Sequence, residues 1–426
     1  MSNIILALIL FQPIEVKEYN LDNGLKVLIY EDHFAPMVST QVYYRVGSYN
    51  EPEGLTGISH LLEHMAYKST KNYTPKEYEK MIDEAGGINN GFTSVHMTAY
   101  WTNLSSDRYE LALKIEADRM QNLLLLQDEF VPEKGVVMEE RRLGENDPGH
   151  NLNEYLDLIS FSYSPYRHSI IGFMSDLEQV NRDDVYNWYK KYYNPANAVI
   201  VIAGDVNPDE ALKLVKKYYG KIKGKKVPDA IYTELPQAGE RRFELRKDVE
   251  TPLLAIQYHT VPANHIDMHA LDVVSMILSS GLSSRFEKHL IREKGIALEV
   301  RGYHSNMKYD GTFAIFAMPQ THISIEALEK EILNEIEKLK TEPVTDAELT
   351  KAKNRALAKA LYRQDAVDDM GFEIGSQEID TGMWENMNRY PGEIGKVTTE
   401  EIMAAVKKYL VKDNRTVGYL LPQEEK

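Results

Sequence analysis

A chain of 426 residues, 43% hydrophobic and 27% charged, has the composition of an ordinary globular protein and is long enough for two or three domains with sizeable cores. Its formal net charge of −16, with nothing to supply an extended basic face, argues against a nucleic-acid binder. The absence of cysteine excludes disulfides and thiolate metal ligands, and chooses no compartment.

Ile4 to Leu10 is an apolar run too short to span a bilayer. It fits the apolar region of a secretory signal, without a preceding Lys or Arg and without an A-x-A site after it, and it fits a first strand leading into Pro13. The compartment therefore stays open between cytoplasm and cell envelope (periplasm), and no other stretch is apolar enough for a stable membrane span. Ala35-Pro36 opens an apolar-rich strand from Met37 to Val46. Gly54 to Ser59 reads as a turn entering a helix whose apolar face is Leu61, Leu62 and Met65.

On that helix His60-Leu61-Leu62-Glu63-His64 has the order H-x-x-E-H, the inverted form of the zinc-protease signature. Positions i and i+4 share a helix face, so both imidazoles can converge on one metal ion. Glu63 at i+3 lies on the same side, within reach of a water held there. A catalytic zinc takes three protein ligands and keeps a fourth position open, so one more carboxylate completes the set.

Pro75 to Ala85 and Asp107 to Leu126 carry apolar residues at helical spacing. Between them, Gly86 to Gly91 reads from its residues alone as a hairpin turn. Pro132 to Arg141 is an acidic helical stretch on which Glu133 and Glu140, two turns apart, share a face. Glu139 adjoins Glu140, and helical geometry alone does not separate them.

Tyr192 to Asp205 has the pattern of a final strand, and Lys408 to Leu420 repeats it, with Asn197 and Asn414 at 217 residues' separation. Thr251-Pro252 opens a strand from Leu253 to Thr260 just as Ala35-Pro36 opens the earlier one. Two landmarks at nearly one offset predict a duplicated unit. The basic run Lys221 to Lys226 reads as solvated linker, and Gly224, Pro228, Pro236 and Gly239 cluster beside it. The expected fold class is α+β: two homologous domains, 14–222 and 240–422, joined by a linker at 223–239, each a largely antiparallel sheet packed with long helices such as Ile325 to Lys340. Ala270 to Leu278 is the second-unit counterpart of the metal helix and offers no ligand pair, and His289 and His304 lack an i,i+4 partner. Any metal chemistry therefore belongs to the first unit.

Taken together, these features resemble the pitrilysin-type M16 zinc peptidases, the inverzincins, a family that includes the mitochondrial processing peptidase. Tyr19 to Val27 looks like the family's opening hairpin. The resemblance implies one Zn2+ per chain held by His60, His64 and Glu140, the family register V-V-x-x-E selecting Glu140 over Glu139. It implies that Glu63 is the general base and that Glu133 is a supporting acid orienting a ligand imidazole. Asp118 is a further candidate for support of a ligand histidine, while His96 and His168 read as core or solvated histidines and Phe161 to Tyr166 as a structural loop.

Gly86 to Thr93 is similar to the family's G-G-x-x-N-A-x-T segment, a sheet edge to which peptide substrate adds as a strand, with Asn90, Gly91 and Phe92 at the binding edge. The family usually has Ala where this chain has Gly91. Leu278 to Leu298 is similar to the second-half signature in which an Arg and a Tyr reach the bound peptide. Arg292 matches the Arg; the Tyr position reads Leu298 in a segment one residue shorter, which leaves Tyr303 or a partner subunit to supply the donor. The implied activity is zinc-dependent endopeptidase hydrolysis of unfolded or presequence-like peptides inside a closed chamber. The implied assembly is a dimer, homomeric or with a paralogous subunit. The alternative is a non-catalytic scaffold or binding subunit of a processing or respiratory complex.

Overall fold

The computed structural model describes residues 13–423, so the apolar run Ile4 to Leu10 lies outside the described residues. The first sheet holds β1 (Val16–Asn20), β2 (Lys26–Glu31), β3 (Met37–Tyr44), β4 (Ile88–Thr93), β5 (Thr98–Ser105) and β6 (Ala198–Gly204). The second holds β7 (Arg241–Lys247), β8 (Leu253–His259), β9 (Ala297–Ser305), β10 (Thr312–Pro319) and β11 (Arg415–Pro422). Their orders are β1-β2-β6-β3-β5-β4 and β7-β11-β8-β10-β9. Removing β1 makes the two sheets match strand for strand. The match includes direction: β2–β6 and β7–β11 are the parallel pairs, and every other pair is antiparallel.

The helices of the first half are α1 (Ile58–Met65), α2 (Pro75–Glu84), α3 (Glu110–Asn122), α4 (Gln127–Glu145), α5 (Pro148–Ser160), α6 (Met174–Gln179), α7 (Arg182–Tyr192) and α8 (Pro208–Tyr219). Those of the second half are α9 (Met268–Ser279), α10 (Ile325–Thr341), α11 (Asp346–Tyr362), α12 (Val367–Thr381), α13 (Asn386–Lys396) and α14 (Thr399–Tyr409), with a π-helical stretch at Phe286–Glu293. The fold is α+β, as expected. Between Tyr219 and Arg241 the chain forms neither helix nor strand. No helix among the described residues is long and apolar enough to cross a membrane. Gly86 to Gly91 is not a hairpin turn: only Gly86, at φ +68°, is left-handed, and Ile88 already begins the edge strand β4.

Strand residues alternate between faces, and here both faces of each sheet are buried. On one face of the first sheet Val27, Ile29, Val42, Tyr44, Ile200 and Ile202 join the core under α1. Their neighbours Leu28, Tyr43, Val199 and Val201 turn to the opposite face, where Met370, Ile374 and Ile379 of α12 cover them. That helix belongs to the second half. The second sheet returns the arrangement, for Leu152 and Leu156 of α5 pack on Ala255 and Leu420. Each half thus lends one helix to the other's sheet.

Polar contacts fix the exchange. Gln41 of β3 donates its amide to the Asp368 carbonyl at 3.0 Å, and Gln257, in the corresponding place on β8, donates to Asp157 Oδ1 of α5 at 3.1 Å. Lys26 and Arg45 reach the buried Glu378 at 2.8 and 3.1 Å. Gly371 and Gly375 allow α12 to lie close on β3: a Cβ at Gly375 would come within 2.3 Å of the Tyr43 ring.

Candidate metal centre and the cavity around it

The metal helix α1 starts at Gly57, whose φ of +86° favours glycine and where a Cβ would meet the Ile171 carbonyl oxygen at 2.2 Å. Two carboxylates secure this start. Glu51, 3% exposed, accepts from the Gly57 and Ser59 N–H groups, each at 2.8 Å, and Asp176 accepts from the Thr56 N–H at 3.1 Å and hydroxyl at 2.7 Å. Burial pushes the Glu51 carboxyl up to about 8. Leu61, Leu62 and Met65 are buried in the core, which turns His60, Glu63 and His64 toward α4 and β4.

His60 and His64 lie 4.7 Å apart between ring centroids. Glu140 Oε2 approaches His64 Nε2 at 3.5 Å and His60 Nε2 at 3.9 Å. Each of these three residues offers one ligand atom, and all three atoms fall within 4.8 Å of one another. Two imidazoles and a carboxylate converging with one side open are the donor set that a catalytic zinc takes. Burial, then the His64 charge, lowers His60 to about 4, so it is neutral and able to bind metal. Its Nδ1 is buried without a hydrogen-bond partner among the described residues.

Glu133 Oε1 meets His64 Nδ1 at 2.9 Å, which assigns Nε2 of that ring to the metal side. Lys68 Nζ holds the other Glu133 oxygen at 2.5 Å. Burial works to raise the Glu133 carboxyl, but its hydrogen bonds with Lys68 and His64 outweigh it and keep the group below its usual range. Glu139 points elsewhere, to Arg142 at 3.0 Å on the exposed side. Asp118 accepts from Asn72 and, at 2.6 Å, from Asn122; its contacts are with these amides and not with a ligand histidine.

Glu63 Oε2 accepts from Thr93 Oγ1 at 2.9 Å, and burial raises the carboxyl against the pull of that bond. Thr93 lay inside the segment read from sequence but carried no assignment. Its spacing of two residues from Gly91, which puts both on one face of a strand, was the available signal.

His60, Glu63 and Glu140 open on a cavity of about 660 Å³ between the halves. Gly91, Phe92 and Thr93 line one side of it, and Gln257, Tyr303 and Met307 of the second half line the opposite side. Gly91 and Phe92 are thus brought to the metal set. Asn90 is not among the lining side chains; its Oδ1 accepts from the Gly91 N–H at 2.9 Å. His168 lines the cavity, whereas His96 is buried among aromatic rings with Nε2 at 2.7 Å from the Tyr166 hydroxyl. Arg292 is placed apart from the metal set. It sits half-exposed on the π-helical stretch, bonded to Glu287 at 2.8 Å, and does not line the cavity. Leu298 is 47% exposed.

The family described as Insulinase (Peptidase family M16) matches residues 26–172, and the one described as Peptidase M16 inactive domain matches residues 179–356. The Helicobacter pylori zinc protease PqqE is 30% identical over 408 residues, 94% of this chain and 92% of that protein. A probable mitochondrial-processing peptidase subunit beta of Arabidopsis thaliana is 25% identical over 96% of this chain and 79% of its own length. The crystal structure of a protease from Helicobacter pylori superposes with a TM-score of 0.92 at 30% identity, covering 96% of this chain and 100% of that one.

Proposed function

Because the chain belongs to peptidase family M16, we propose that it is a zinc-dependent endopeptidase acting on unfolded or presequence-like peptides. The observation that carries this reading is the convergence of His60, His64 and Glu140 on one point, with Glu63 opening on the same cavity. His60 and His64 through Nε2 and Glu140 through its carboxylate would hold one Zn2+, which supplies Lewis acidity toward a water and a carbonyl. The Glu63 carboxylate, steadied through Oε2 by Thr93, takes a proton from the attacking water and later returns it to the leaving amine nitrogen. Glu133 keeps the His64 ring oriented. β4 is the edge strand of its sheet, and an extended peptide pairs with its open side as an added strand alongside Asn90, Gly91 and Phe92.

In this reading the first unit (14–222) carries the chemistry and the second (240–422) closes the cavity without a metal site of its own. The chain works as a dimer, either homomeric or with a paralogous M16 subunit that supplies the transition-state donors which Arg292 and Leu298 do not bring to the cavity. That displacement is also what favours the second reading, a non-catalytic scaffold or binding subunit.

Mass spectrometry of an unstructured peptide incubated with the zinc-loaded chain, beside Glu63→Gln at matched zinc content, tests the proposal. Cleavage that disappears in Glu63→Gln supports the peptidase. Cleavage that persists in the variant overturns the role of Glu63, and zinc-bound but silent protein with and without a paralogous subunit supports the scaffold.

A further inference from the structure

Behind β4 lies a buried charged cluster that the proposed reaction does not use. Arg119 and Glu116, both buried, pair at 2.8 Å. The rings of Tyr67, Tyr78 and Tyr100 enclose the guanidinium, with centroids 4.6, 5.2 and 4.5 Å from it. Arg119 also donates to the Tyr78 hydroxyl at 2.9 Å, which in turn meets the Asn89 amide. A guanidinium buried with an acid, a phenol and three rings around it is a rigid base for whatever rests on it.

What rests on it is the substrate-facing edge. Asn89, Gly91 and Thr93 alternate along β4 and so share its inward face. Each meets a different support: Asn89 meets Tyr78, Thr93 meets Glu63, and Gly91 lies over Tyr67. An ideal Cβ at Gly91 would stand 2.9 Å from the Tyr67 hydroxyl oxygen, 3.0 Å from Tyr100 Cδ1 and 3.1 Å from the Ala99 carbonyl oxygen. The backbone at Gly91 is not left-handed, so the space, and not the conformation, excludes a side chain there. The Tyr67 hydroxyl is itself buried and has no hydrogen-bond partner among the described residues. A stranded hydroxyl costs folding free energy that a phenylalanine would avoid. Its evident geometric effect is to occupy the space under Gly91.

We propose that Tyr67 is a positioning residue for peptide cleavage, acting with Gly91 as one unit. Its hydroxyl fills the space a methyl group would take and sets the height of β4 above the metal helix. Tyr67 stands one turn beyond Glu63 in the chain, so the segment that carries the ligands and the general base also braces the strand that receives the peptide. The inference rests on the peptidase reading for its kinetic consequence, but the coupling between the two residues does not.

The test is a double-substitution cycle: Tyr67→Phe, Gly91→Ala and the two combined, each zinc-loaded and assayed well below its melting temperature. Gly91→Ala lifts the strand and raises KM for an unstructured peptide about tenfold, with a smaller change in kcat and unchanged zinc content. Tyr67→Phe leaves the space half filled and raises KM about threefold. The combined variant, in which the alanine methyl takes the place of the hydroxyl, returns to within about twofold of the starting chain. Simple multiplication of the two single effects overturns the proposal. If the starting chain cleaves nothing, alone or with a paralogous subunit, the peptidase reading fails separately, and the same cycle is read in melting temperatures: repair of the Gly91→Ala deficit by Tyr67→Phe upholds the coupling, and no repair overturns it.

Discussion

Asn197 and Asn414 make the same pair of hydrogen bonds in the two halves of the chain. Each side-chain amide donates to the carbonyl of a tyrosine five residues upstream, Tyr192 at 3.0 Å and Tyr409 at 2.8 Å. Each also donates to the chain at the end of the equivalent strand, at the Arg45 carbonyl (3.4 Å) and the His259 carbonyl (2.8 Å). One amide therefore ties the end of a helix to the end of a central strand. Replacing either asparagine by alanine removes both of these bonds and is expected to cost about 1–3 kcal/mol. Asn197→Ala should cost more, because Asn197 is 4% exposed and Asn414 is less deeply buried. Urea titration of both variants checks the order.

Glu133 and Glu139 are close in sequence and opposite in expected effect. Glu133 holds His64 Nδ1, so Glu133→Ala is expected to weaken zinc binding by about 10–100-fold. Glu139, paired with Arg142 on the exposed side, should be replaceable by alanine with no change in zinc affinity. Competition with a chelator measures both.

Asp157 gives the halves a pH-dependent contact. Burial, opposed by the hydrogen bond from Gln257, pushes its carboxyl up to about 7, and Glu154 adds to the rise. Glu154 itself is held by Arg141 at 2.9 Å. In the unfolded chain Asp157 loses its proton near pH 4, whereas the folded chain keeps it until about 7. Its contribution to stability therefore falls as pH rises between those values and is flat above them. Asp380, also raised to about 7, acts in the same direction. Asp157→Asn should shrink the loss of stability between pH 5 and pH 8 relative to the starting chain, as read by urea midpoints at the two pH values.

Gly375 inverts the usual rule for helix glycines. Alanine in a helix interior normally gains up to about 1 kcal/mol over glycine. On α12 the added methyl would run into the Tyr43 ring, itself held by Gln41. Gly375→Ala is expected to destabilise by about 1–3 kcal/mol through overpacking. A melting temperature above that of the starting chain would contradict the close helix–sheet contact.

The local rules were legible in the sequence where one element satisfies them alone. H-x-x-E-H on a helix, the paired landmarks at Met37 and Leu253, and the two asparagines needed only periodicity and offset, and all fall where duplicated sheets place them. Helix faces were legible as well, but not their partners. The apolar residues of α5 and α12 require burial without saying which sheet provides it, and each is buried against the sheet of the other half. Arg292 was singled out by resemblance alone; here it pairs with Glu287 on a π-helical stretch, a winding that nothing in the residues Phe286 to Glu293 announces. Thr93 and Tyr67 were in plain view, but their roles depend on which residues of β4 face inward over the metal helix, a fact of register.

The crossed helices also fix an order of events during synthesis. When residues up to Tyr219 have left the ribosome, α12 has not yet been made, and the face of the first sheet formed by Leu28, Tyr43, Val199 and Val201 has nothing to cover it. Helix α5 likewise waits for its partner strand, since Leu156 packs with Leu420 only once β11 has been made. Folding as separate units from the N-terminus is therefore closed to this chain. The nascent protein must carry one apolar surface until α12 has emerged and the other until β11 has, and loss of β11 would be damaging out of proportion to the eight residues removed.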